Sequence, residues 1–136
     1  MDTVALLKIG NSKIGLHVEH IERVLRAVAI TPLPNQSRGV LGVINVEGSL
    51  IKVSDLRARL GLPTKVLELD DQIVIVETDG QRVAIVVDAV SSVVHYTQNN
   101  FTAFNQAESP SALGALNVDD EIVVVCNPSE FLAPML

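Results

Sequence analysis

The chain writes one β-rich pattern twice, and this repetition limits its fold more than any other feature. Val4-Ala-Leu-Leu-Lys-Ile9, the turn Gly10-Asn11-Ser12 and Lys13-Ile-Gly-Leu-His-Val18 form the first copy. Ile73-Val-Ile-Val-Glu77, Asp79-Gly80 and Arg82-Val-Ala-Ile-Val-Val87 form the second. Val87 to Val93 then matches Val18 to Val24 at an offset of 69 residues, and Leu113 to Asp119 matches Leu41 to Glu47 at an offset of 72. Apolar runs flanking a Gly, Asn or Asp turn are hairpin signatures. Further hairpins are expected at Val40–Val46 with Leu50–Val53, and at Leu113–Val118 with Ile122–Val125. Gly42 and Gly114, which fall at matched places, read as backbone requirements.

Each half therefore predicts four or five strands. A unit that small buries little core alone, so the halves should pack together. Closing each sheet into a barrel would hide its edges. Val and Ile number 31 against 18 for Leu and Met, which suits pleated, half-buried surfaces. The 136 residues read as one domain, 1–136, with approximate subdomains 1–65 and 66–136 between which strands can be exchanged. Short helices are expected in three places. Ile21, Val24, Leu25 and Val28 fall at helical spacing within 19–28, Ser54 or Asp55 can cap 56–60, and Asn127-Pro128 can open a helix through Phe131.

The net charge of −6 hides a split. Residues 1–65 carry nine Lys/Arg and five acids, whereas 66–136 carry Arg82 against eleven acids. If the halves stay separate in space, the protein is a dipole with one basic and one acidic barrel, suited to head-to-tail docking. The acidic half also holds Tyr96 and all three Phe, so basic and aromatic residues are not interleaved and nucleic-acid binding is disfavoured.

Catalytic patterns are poorly represented. Gly39-Val-Leu-Gly42 lacks the Lys-Ser/Thr of a phosphate loop, and no Gly-x-Ser-x-Gly elbow occurs. His17 and His20 stand three apart without a third ligand nearby, so neither metal nor cofactor is expected. Cys126, within Ile122-Val-Val-Val-Cys126, reads as a buried core residue. The N-terminus has no basic region before an apolar stretch, and no apolar run reaches the roughly 18 residues of a membrane span. A cytoplasmic protein that binds other proteins, without enzymatic activity, is the expectation. A small-molecule sensor using a groove between the halves is the alternative.

Four segments carry a resemblance to the CheW-like domain family of bacterial chemotaxis. They are Leu7–Val18 with Ile21-Glu-Arg-Val24; Ile30-Thr-Pro-Leu-Pro34 with Gly39–Asn45; Leu50-Ile-Lys-Val-Ser-Asp-Leu56; and Ile85-Val-Val-Asp-Ala-Val-Ser-Ser-Val93. The resemblance spans about residues 4–132. It implies a mainly β fold of two tandem five-stranded β-barrels sharing a core. It also implies a non-enzymatic adaptor that couples a CheA-type histidine kinase, through that kinase's regulatory domain, to the cytoplasmic tip of chemoreceptors. A pilus or surface-motility system is the alternative setting. Ile21, Arg23 and Val24 match helix positions facing the family's partner-binding region. Asn45 and Glu47 match its motif turn, and Val93 matches a second-half position near the receptor groove.

The chain also departs from the family. The usual Asn-x-Arg-Gly is Asn45-Val46-Glu47-Gly48, and Arg23 stands where an acid is common. If the two positions face each other, an ion pair has been kept with its charges exchanged. Lys52 and Ile14 replace a common proline and a common aromatic.

Overall fold

The computed structural model describes residues 2–34 and 39–133. Eleven strands occur among them: β1 (Asp2–Ile9), β2 (Ser12–His17), β3 (Ile21–Arg26), β4 (Val40–Val46), β5 (Ser49–Asp55), β6 (Gln72–Thr78), β7 (Gln81–Val87), β8 (Ala89–Tyr96), β9 (Phe101–Ala103), β10 (Ala112–Val118) and β11 (Glu121–Cys126). A 3-10 turn, Val18–His20, precedes β3, and a short helix α1, Pro128–Phe131, follows β11. The strands form two sheets, ordered β8-β1-β2-β11-β10-β9 and β3-β6-β7-β5-β4.

Each sheet draws on both copies of the repeat. The first takes hairpin β1–β2 from the N-terminal copy and β8 to β11 from the other; the second takes hairpin β6–β7 from the C-terminal copy and β3 to β5 from the first. The hairpins join their hosts through parallel ladders, Val124↔Ile14 and Val125↔Gly15 in one sheet, Val53↔Ala84 to Asp55↔Val86 in the other. The chain changes sheet at Val18–His20 and at Asp88, which are related by the repeat.

This exchange explains the continuous apolar runs. On β1, Val4 and Leu6 face a core inside the first sheet with Tyr96, Leu116, Val123 and Val125. The alternate Ala5, Leu7 and Ile9 face a second core between the sheets. On β6, Val74 and Val76 join that shared core, while Ile73 and Ile75 fill the inside of the second sheet with Ile44, Ile51 and Val53. A strand buried on both faces cannot alternate polar and apolar residues.

The ladders leave both sheets open, yet their ends meet. In a flat six-stranded sheet β8 and β9 would lie about 24 Å apart, at about 4.8 Å per strand. Instead Thr97–Asn100 joins them in a turn closed by Asn100 N–H donating to the Thr97 carbonyl at 3.1 Å, and the Tyr96 and Phe101 rings stack with centroids 5.2 Å apart. The sheet must curl. In the second sheet, Thr31 exchanges backbone hydrogen bonds of 2.9 Å with Val43 of β4 where Thr102 of β9 pairs with Ala115. The first sheet has six strands and not five because β9 makes three ladder pairs, against this single bridge at Thr31. Gly42 and Gly114 sit at matching bulges, where a Cβ would overlap the carbonyl oxygens of Thr31 and Thr102. The glycines let the chain lie across the sheet end.

Two expected helices are absent. Residues 21–26 form β3, and the cause of the false helical signal is a bulge. Ile21 opposes Val76 but Arg23 opposes Ile75, so one residue is extra. Ile21 and Val24 therefore share one face of a strand although they are three apart, which imitates a helix. The same bulge recurs at Leu6/Leu7 opposite Ser92 and Val90. Residues 56–60 make only successive turns, though Asp55 Oδ1 accepts the Arg57 N–H at 3.0 Å as a cap would. The expected helix after Asn127 is present as α1.

The charge dipole does not survive strand exchange. The spans feeding the first sheet, 1–17 and 88–136, hold two Lys/Arg and seven acids, net −5. Residues 18–87 hold eight Lys/Arg and nine acids, net −1. No basic half faces an acidic half.

Candidate protein-interaction surface

The structure brings Arg23, Asn45 and Glu47 together at the end of the second sheet. Glu47 sits at the first central position of the β4–β5 turn with φ of 51°, followed by Gly48 at 87°. Two successive positive values match the two-residue hairpin turn that follows strand twist. Asn45 Oδ1 accepts the Gly48 N–H at 2.9 Å and so braces the turn. The Arg23 guanidinium donates to Glu47 Oε1 at 3.2 Å. β3 and β4 stand at opposite ends of their sheet's strand order, so this pair exists only because the sheet curls. Both side chains are exposed, which limits the pair's stabilisation to about 0–1 kcal/mol. Behind it lies a groove of about 490 Å³ lined chiefly by Leu25, Val28, Thr31, Val43 and Ile44.

Ile21, Val24 and Val93 lie elsewhere. Ile21 is half-buried and packs on the core between the sheets. Val24 opposes Val74, and Val93 opposes Ala5; both partners belong to that shared core. The two valines therefore point to the inter-sheet side, from edge strands of different sheets. They are repeat-related, and both are bare, at 40% and 55% exposure. Sequence reasoning missed the groove behind Glu47 because its wall at Val28–Thr31 is irregular and shows no period.

Other polar groups serve the frame. Asp88, where the chain changes sheet, accepts the Gly10 N–H at 2.8 Å and Arg57 at 2.7 Å, with Lys65 3.7 Å away. Burial alone would raise its carboxyl; the Gly10 N–H, Arg57 and Lys65 outweigh this and hold it below the ordinary range. His17 hydrogen-bonds the Tyr96 hydroxyl at 2.6 Å, and Thr3 hydrogen-bonds His95 at 2.7 Å. Burial pushes the Cys126 thiol up to about 12, so it stays protonated. A second apolar cavity of about 390 Å³, between Ile14, Leu60, Val124 and Phe131, carries the Lys13–Glu121 ion pair at 3.1 Å on its rim.

Residues 3–134 match the model of the CheW-like domain. The chain belongs to this family. It is 28% identical to "Chemotaxis protein CheW" of Thermotoga maritima over 127 residues, covering 89% of this chain and 81% of that protein. It is 28% identical to the protein of the same name in Klebsiella aerogenes over 118 residues, covering 82% and 70%. Among solved structures, the scaffolding protein TtCheW from Thermoanaerobacter tengcongensis superposes with a TM-score of 0.82 at 26% identity, covering 93% of this chain and 84% of that one. The mostly β, two-sheet architecture is thus the family's own, and the chain is a divergent member with the adaptor function of chemotaxis coupling. No helix among the described residues is long and apolar enough to cross a membrane.

Proposed function

We propose that this chain couples a CheA-type histidine kinase to the cytoplasmic tips of chemoreceptors, docking on the kinase's regulatory domain and performing no catalysis itself. The observation that carries the reading is the family match over nearly the whole chain, together with the likeness to a scaffolding protein. The surface supports it. Val24 and Val93 offer two apolar anchors on the inter-sheet side, which suits an amphipathic helix lying in a groove. Arg23, Asn45 and Glu47 form a braced polar feature on the other face of β3, with the charges opposite to the family's usual arrangement. Reversed charges discriminate between partners, because a like-charge contact with the wrong one is unfavourable.

The test is binding of the purified chain to the regulatory domains and receptor-tip fragments encoded by its own genome, with kinase activity read in reconstituted receptor assemblies. Saturable binding to both and receptor-dependent kinase activity are expected. Binding to neither would falsify the coupling role.

A further inference from the structure

The segment between the two copies of the repeat holds the two most exposed large hydrophobic side chains among the described residues, Val66 at 84% and Leu69 at 90%. Single exposed apolar residues need no explanation. These two stand three apart on a segment that is tied down at several points. Lys65 Nζ lies 2.7 Å from Asp71 Oδ1 and 3.7 Å from both Glu68 and Asp88. The other Asp71 oxygen accepts the Glu68 N–H at 2.7 Å, and the Asp71 N–H donates to the Glu68 carbonyl at 3.1 Å, closing a turn with Leu69 near its tip. The Asp71 carbonyl accepts the Ala27 N–H at 3.1 Å, which fastens the turn to the end of β3. Leu67 is half-buried between its bare neighbours. The backbone is held in place while two aliphatic side chains are kept in water. Such preorganisation lowers the ordering cost of association.

We propose that the Val66–Leu69 turn is a docking knob for a partner protein that presents an apolar pocket rimmed by lysine or arginine. Charge complementarity selects this occupant. Glu68 and Asp70 flank Leu69 and are exposed. A second copy of the chain fits badly. The cations at two of its own apolar grooves, Lys13 and Arg23, are already paired with Glu121 and Glu47, and a third groove, beside Phe104 and Ile122, has no charged lining residue. None offers the acids of the knob an unpaired cation. The knob lies on the connecting segment, separate from Arg23, Val24, Glu47 and Val93, and does not depend on the coupling role.

Photo-crosslinking in the source organism tests the proposal, with p-benzoylphenylalanine at position 69 of the full chain and, as a control, at the exposed Glu108. The expected result is one crosslinked heterologous protein. Peptide mapping should place the crosslink in an apolar pocket bordered by Lys or Arg. Asp70→Lys, which leaves the Lys65 pairs with Glu68 and Asp71 in place, should reduce it severalfold, while thermal stability and kinase binding are unchanged. A crosslink to a second copy overturns the proposal. So does a crosslink undiminished by the charge reversal, or a yield no greater than at position 108. The hydrophilic double variant Val66→Ser, Leu69→Ser gives an independent check through loss of co-purification of the mapped protein. Retained co-purification counts against the knob.

Discussion

Two residue pairs show how single side chains shape this protein. At Gly42 and Gly114 the missing Cβ lets the chain cross the end of each sheet with the Thr31 and Thr102 carbonyls against it. Gly42→Ala and Gly114→Ala should each destabilise by about 1–3 kcal/mol, the cost of overpacking, as read by urea unfolding. Normal stability in both would show that the backbone relaxes freely there. Arg23 and Glu47 act differently. Their pair is exposed, so Arg23→Glu should change stability by no more than about 1 kcal/mol while weakening partner binding. Adding Glu47→Arg should restore binding, and calorimetric titration of the single and double variants decides it. A double variant no better than the single one would leave the pair without a recognition role. The residue types at 23 and 47 were legible in the chain, but their 3.2 Å contact was not, because 24 positions separate them.

Among the elements, the bulged edge strands and the clasp at Asp88 carry most meaning. The bulges in β3 and β8 turn a period of two into a spacing of three, and the one in β3 is why 21–28 imitates a helix. The clasp ties the crossing between β7 and β8 to the β1–β2 turn through Gly10 and to the connecting segment through Arg57 and Lys65. Because the folded Asp88 carboxyl is held below its ordinary value of 3.8, its stabilising contribution is full above that pH. It is lost as pH falls through the lower folded value. Lys65 is shifted upward from 10.5, chiefly by its hydrogen bond to Asp71, so its contribution is present below that pH and fades as pH rises through the folded value. Asp88→Asn should remove about 1.5–3 kcal/mol at neutral pH, the range for a hydrogen bond to a charged group. Its unfolding free energy should converge with that of the parent on acidification. Parallel curves in denaturant titrations from neutral to acidic pH would contradict the clasp.

At the scale of the whole molecule, the exchanged hairpins predict that the two sheets fold as one unit. Neither copy of the repeat contains a complete sheet. Residues 1–65 or 66–136 expressed alone should stay unfolded by circular dichroism, and mixing them should restore β structure. Thermal and denaturant transitions of the intact chain should coincide across probes. An independently folded half would refute this. The exchange also spreads charge, leaving net −5 on the spans of one sheet and −1 on those of the other. Binding to a kinase regulatory domain should therefore depend only weakly on salt between low and physiological ionic strength, measured by titration. A steep loss would restore charge steering as the driving term.

The β class, the doubled plan, the hairpin turns and the family are legible along the chain, because these rest on short-range pattern: apolar runs, turn residues and motif order. Which hairpin belongs to which sheet was settled by packing, because a strand apolar on both faces does not state which core each face meets. Packing also decided that Arg23 meets Glu47 across a curled sheet, that Val24 and Val93 share the inter-sheet side, and that the apparent dipole cancels. Contacts between residues far apart in the chain depend on how the sheets close, and no local spacing encodes that.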